Sequence, residues 1–182
     1  LRSIHWAQTA RRQALVVSER QGCARRLVVV GIDLRAFSDE QDCPDDSSHQ
    51  LEDAIRVAAS IAQEFHAHHT DVRFMLGDLD YFLTPGAESL KRLFDALARF
   101  EDDDQDRTEW TFAREAMTVL VTSGQREIEL PITAGGSVRL VRINRPSDAE
   151  DSDGSRQQSA WLQLETDNDP LLQLRHRWER AC

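Results

Sequence analysis

The chain has 182 residues, 40% hydrophobic and 7% aromatic, which suffices for one globular domain with a full core. No apolar run approaches the roughly 20 residues of a membrane helix, so direct membrane insertion by this stretch is not expected. The charge of −10 is uneven: the first 26 residues hold six Arg against Glu19, for +5, leaving −15 on a body that repels phosphate backbones and argues against nucleic-acid binding.

Residues 1–26 read as an N-terminal arm. It opens at Leu1 without Met, inside a motif, so a preceding part of a longer protein is expected. Within it, Trp6 is expected to anchor the arm while His5 satisfies a backbone group, as such side chains do far more often than catalysis. The arm's charge suits an acidic surface of the same protein, a partner, or anionic lipid headgroups, the first being the ordinary case. Residues 27–182 read as one domain. The Val-rich run 27–32 predicts a strand buried on both faces, with Asp33 at its C-terminal end, where open α/β sheets bind ligands.

Polar residues 38–49 follow, with Ser47 and Gln50 spaced as a capping box. Leu51, Ala54, Ile55, Ala58, Ala59, Ala62 and Phe65 then predict an amphipathic helix over 51–65, ending at His66-Ala67-His68-His69. Strands are expected at 72–76 and 79–83, joined by Gly77-Asp78 as a hairpin that makes one sheet edge antiparallel. Thr84-Pro85 reads as cap and first position of a helix burying Leu90, Leu93, Phe94, Leu97 and Phe100.

The acidic run 101–106 reads as a solvated loop. A second buried strand is expected at 117–122, closed by Ser123-Gly124. Two short strands are expected around Gly135-Gly136, from the alternation of Ile128, Leu130 and Ile132 and of Val138 and Leu140. Residues 144–160 read as a flexible acidic loop, 161–164 fit no single pattern, and Asp169-Pro170 starts a last helix carrying Leu171, Leu172, Leu174 and Trp178. Strands alternating with helices predict an α/β fold: a doubly wound, mostly parallel sheet with an antiparallel edge hairpin and helices on both faces.

Arg2-Ser3-Ile4-His5-Trp6, Ala10-Arg11, Leu15-Val16-Val17-Ser18-Glu19 and the Val-rich strand ending in Asp33 resemble the family called Domain of Unknown Function 58, which has a von Willebrand factor A-like core. The resemblance runs through 72–83, 88–100 and 119–124, about two-thirds of the chain, and Ile4-His5-Trp6 is its most specific part. The Tyr and Gly-Asp that the family usually carries just before this point lie outside the chain. The resemblance implies a bacterial protein with upstream transmembrane helices, encoded beside a MoxR-type AAA+ ATPase and acting in assembly or maturation of other proteins. It also implies a cytoplasmic domain of a membrane-anchored protein. Cys23, Cys43 and Cys182, odd in number and without metal or redox spacing, fit such a reducing compartment.

The resemblance further implies a place for Mg²⁺: Asp-x-Ser-x-Ser after the first strand, a Thr from a later loop, and an Asp after the fourth strand. Asp33 matches the first ligand, but Arg35 and Phe37 replace the two Ser, with Ser38 one position further on. Thr84 is the candidate Thr, and Thr122-Ser123-Gly124 supplies no Asp. A hard divalent cation needs more oxygens than this. The expectation is a degenerate metal-ion-dependent adhesion site in which Asp33, Arg35, Ser38, Thr84 and Ser123 form a binding edge, Arg35 stands in for the cation beside Asp33, and no cofactor is needed.

No catalytic set emerges. Ser123 lacks a Gly-x-Ser-x-Gly elbow, no Gly-rich loop cradles phosphate, and His66, His68 and His69 read as a solvated helix end. The expected function is a non-catalytic protein-protein interaction module. The alternatives are a Mg²⁺-dependent recognition domain and an uncharacterised hydrolase.

Overall fold

The unbroken apolar run 27–32 is buried on both sides, as a strand inside a sheet must be. The computed structural model describes residues 2–4, 11, 17–19, 27–38, 44–68, 70–100, 116–123, 137–144, 160–166 and 169–181. In chain order these form β1 (Arg2–Ile4), β2 (Val17–Glu19), β3 (Leu27–Ile32), α1 (Arg35–Ser38), α2 (Pro44–Ala67), β4 (Asp71–Leu76), β5 (Leu79–Leu83), α3 (Ala87–Leu97), β6 (Met117–Ser123), β7 (Ser137–Asn144), β8 (Leu162–Glu165) and α4 (Pro170–Ala181).

Six of these strands make one sheet in the order β5-β4-β3-β6-β7-β8. β3 runs parallel to β4 and β6, β6 to β7, and β7 to β8, whereas β5 is antiparallel to β4. The mostly parallel sheet with an antiparallel edge hairpin therefore stands. Gly77 makes the hairpin turn at φ 54°, a left-handed conformation that costs an L side chain about 1–2 kcal/mol. β1 and β2 form a separate antiparallel ribbon within the arm, pairing Ile4 with Val17, which the sequence pattern did not announce.

One face of the sheet carries Val28, Val30, Ile32, Val72, Phe74, Leu76, Val119, Val121, Val141, Ile143, Leu162 and Leu164. Ala54, Val57, Ala58, Ile61 and Ala62 of α2 pack there, the alanines letting the helix approach closely, and Leu93 and Leu97 of α3 and Leu174 of α4 complete the same core. Helices on both faces were expected; among the described residues α2, α3 and α4 all join this one core. The right-handed crossover rule fixes a helix's side only between parallel strands, and α3 follows the antiparallel β5. On the opposite face Val29, Thr118, Leu120, Thr122, Leu140 and Arg142 are also buried, although no described helix joins the small apolar cluster formed there by Val29, Met75 and Ala116.

Several boundaries move. α2 starts at Pro44, so Ser47 and Gln50 lie inside the helix and no capping box forms. α3 starts at Ala87 with Gly86 as its N-cap at φ 119°, not with Thr84 and Pro85. Ser89 Oγ closes that first turn by donating to the carbonyls of Thr84 (2.6 Å) and Gly86 (3.0 Å). α4 starts as expected: Asp169 Oδ1 accepts the Leu171 N–H at 3.0 Å, with Pro170 at the first helical position. β7 is one strand of eight residues, and β8 resolves the ambiguity at 161–164. The expected strand around Ile128–Ile132, the loop at 101–106 and most of the 144–160 loop lie outside the described residues.

Candidate functional site

From β3 the chain crosses through α2 to β4 on one side, and from β6 it proceeds to β7 on the other. The carboxyl ends of β3 and β6 thus lie at the point where the winding reverses, the place where open α/β sheets take ligands.

Asp33 continues the β3 ladder for one residue, its N–H donating to the Val121 carbonyl at 2.9 Å. Its carboxylate is buried, and Oδ1 accepts the Arg35 N–H at 3.2 Å. Its own carbonyl accepts the Ala36 N–H at 3.1 Å, and the Leu34 carbonyl accepts the Phe37 N–H at 3.1 Å. Aspartate placed before a turn makes such bonds readily, and here they start the single turn α1. Phe37 and Ala36 are buried in the core while residue 35 faces solvent. This hydrogen bond between Asp33 and Arg35 is donated by the Arg35 backbone.

Ser123, at the end of β6, is 2% exposed and its Oγ donates to the Ala36 carbonyl at 2.5 Å. The carbonyls of a one-turn helix have few helical partners, and this hydroxyl supplies one. A carbonyl does not act as a general base, so this bond holds structure and does not activate Ser123 as a nucleophile. On the other side, the Gly77 turn packs under the same loop: a Cβ built at Gly77 would stand 3.2 Å from Leu34 Cδ1.

Asp33, Arg35 and Ser123 therefore converge as expected. Thr84 does not. Leu83 pairs with Val72 whereas Ile32 pairs with Leu76, so Thr84 follows β5 at the amino edge of the sheet. At about 3.3 Å per residue it lies roughly 20 Å from Asp33. There its carbonyl meets His66 Nε2 at 3.0 Å, at the far end of α2. An antiparallel hairpin returns the chain to the wrong edge, which overturns Thr84 as a member of this site. Ser38 ends α1 in the backbone, and its side chain lies outside the described residues, as do His5 and Trp6. Among the described residues the oxygens brought together do not fit a Mg²⁺ centre: they include one carboxylate, the Ser123 hydroxyl is committed to Ala36, and Phe37, where the expected pattern has a Ser, is a core ring. Among the described residues no three His, Cys, Asp or Glu side chains gather.

Two buried polar residues were not expected as such: Gln50 was read only as half of a capping box, and Arg142 was not singled out. Gln50, in the first half of α2, is 3% exposed and neither amide atom has a hydrogen-bond partner. Arg142, two residues before the end of β7, is 4% exposed and its Nε has no partner. The available signal was Arg142 itself, a charge inside the strand Leu140-Val141-Arg142-Ile143 where a buried parallel strand calls for apolar residues.

Among the described residues no helix is long and apolar enough to cross a membrane. The chain matches no protein-family model, and comparison with curated proteins and with solved structures returns no similar one.

Proposed function

We propose that the chain is a non-catalytic protein-binding module of the Domain of Unknown Function 58 type, with a von Willebrand factor A-like core. In this reading it works on the cytoplasmic side of a membrane-anchored protein, with a MoxR-type AAA+ ATPase, in the assembly or maturation of other proteins. The observation that carries the proposal is the construction of the switch-point edge. An exposed residue, Arg35, is presented there on a turn fixed by Asp33, Phe37 and Ser123, all buried and hydrogen-bonded or packed into the core. A rigid platform with a solvent-facing cation suits recognition of an acidic surface patch on a partner.

Binding to the MoxR-type ATPase encoded beside the protein, measured in the apo, ADP and ATP-analogue states, tests the proposal. Binding is expected in at least one state, weakened at least tenfold by Arg35→Glu and unchanged by Thr84→Ala at the opposite edge. No binding in any nucleotide state, or equal loss from both variants, overturns it.

A further inference from the structure

We infer that Arg142 is the cationic end of an anion-binding position at the carboxyl edge of the sheet, on the face opposite α2, and that it takes a carboxylate or phosphate group. Register places Arg142 beside Thr122 on β6 and Gln163 on β8, all on that face. Neither neighbour at its own level is an acid, and among the described residues no ion pair involves Arg142.

The chemistry of the side chain sharpens the point. A buried Lys or His escapes the cost of desolvation by shedding its proton, but a guanidinium retains its charge. Arg142 is therefore a buried cation, and its Nε–H is a buried donor with nothing to donate to. Buried polar groups in native proteins are nearly always paired, and an orphan of this kind marks a place for a water, an ion or a ligand. The planar fork of a guanidinium matches the two oxygens of a carboxylate or phosphate. Its location agrees with an independent rule, since β7 ends two residues later at the edge where such sheets take ligands. A site carried on a central strand is also held more rigidly than one on a loop. This position stands whether or not a protein binds the Arg35 turn.

Thermal unfolding of the full chain, titrated with sodium phosphate or with sodium glutarate against sodium chloride at matched ionic strength, tests the inference. The wild type is expected to show a saturable rise in Tm beyond chloride, of about 5 °C or more at a hundredfold excess over Kd. A response to phosphate alone assigns a phosphate ligand, and a response to glutarate alone assigns a carboxylate. Arg142→Met should abolish the rise and Arg142→Lys, which keeps the charge without the fork, should reduce it. In chloride alone Arg142→Met should melt no lower than the wild type, because it removes a buried donor, Nε–H, that has no partner. The inference is overturned if neither anion acts beyond chloride, if Arg142→Met keeps the response, or if that variant fails to fold or melts several degrees lower in chloride.

Discussion

Replacing Ser123 by Ala separates a structural hydroxyl from a catalytic one. The substitution removes one oxygen and leaves the Ala36 carbonyl, previously satisfied at 2.5 Å, without that donor. Removing one partner of a buried hydrogen bond costs about 1–3 kcal/mol, because the remaining group stays desolvated. The upper half of that range applies here: the bond is short, Ser123 is 2% exposed, and the carbonyl belongs to a single helical turn. For a chain of this length the loss corresponds to a fall in Tm of about 4–12 °C. Thr122→Val is the internal control. The Thr122 hydroxyl reaches the Ser123 carbonyl only at 3.4 Å, a long contact, so losing it should cost less than about 1 kcal/mol. Urea unfolding of the wild type and both variants, followed by tryptophan fluorescence, gives the two differences. A Ser123→Ala effect below about 0.5 kcal/mol, or no larger than that of Thr122→Val, would refute the assignment of this hydroxyl as the tie between β6 and α1.

The other expectations concern the supports of the same edge and the sheet's margin. Gly77→Ala should destabilise by about 1–3 kcal/mol, combining a positive φ with an approach to Leu34; a denaturation midpoint equal to that of the wild type would contradict the turn geometry. Gln50→Met should raise stability by about 1 kcal/mol, since it replaces two orphaned buried polar atoms with an apolar chain of similar length; a loss in urea unfolding would mean that the amide has partners. On the edge hairpin, Arg73 donates to both carboxylate oxygens of Asp80, at 2.8 and 2.6 Å. These bonds hold the Asp80 carboxyl below the usual carboxylate range, with partial burial opposing them and the Arg73 charge assisting. A depressed folded pKa stabilises above the unfolded value of about 4, and the contribution disappears as pH falls through the folded value. Both groups are partly exposed, so Asp80→Asn should cost only about 0.5–1 kcal/mol at pH 7, less in high salt and nothing once pH has fallen below the folded value; a cost independent of pH would exclude the ion pair as its source.

The strands were legible because the physics that forms them is local. A run such as Leu27–Ile32 has one low-energy fate, and Gly77-Asp78 between two apolar stretches specifies a hairpin from its own backbone preferences. Asp33 was placed by the same logic, being the first polar residue after a buried strand. Arg35 and Ser123 came from the metal-site pattern that the resemblance implies, and the parallel pairing of β3 with β6 sets their two strand ends side by side. What failed depended on where distant segments meet. Thr84 and Asp33 both follow strands, and only the direction of β5 reveals that they stand at opposite edges. The Ser47–Gln50 spacing is a genuine capping signal that lost to an earlier helix start at Pro44, which puts both residues inside α2. The side on which α3 packs is not written in its own sequence either, since an amphipathic stripe fits either face and the preceding antiparallel strand made the choice.

Arg142 is the most consequential of these cases, because the sequence did contain the signal and periodicity concealed it. The alternation of Val138 and Leu140 predicts a short strand that leaves Arg142 aside, whereas β7 runs on to Asn144 with Val141 and Ile143 in the core. The second face of β7 is nonetheless kept from water, since Leu140 and Thr122 beside Arg142 are buried there along with it. A strong violation of local preference in the middle of a sheet is where function is expected to override stability. Two such violations are Gln50 and Arg142. They are separate departures from core packing, Gln50 on α2 against one face of the sheet and Arg142 on β7 at the other.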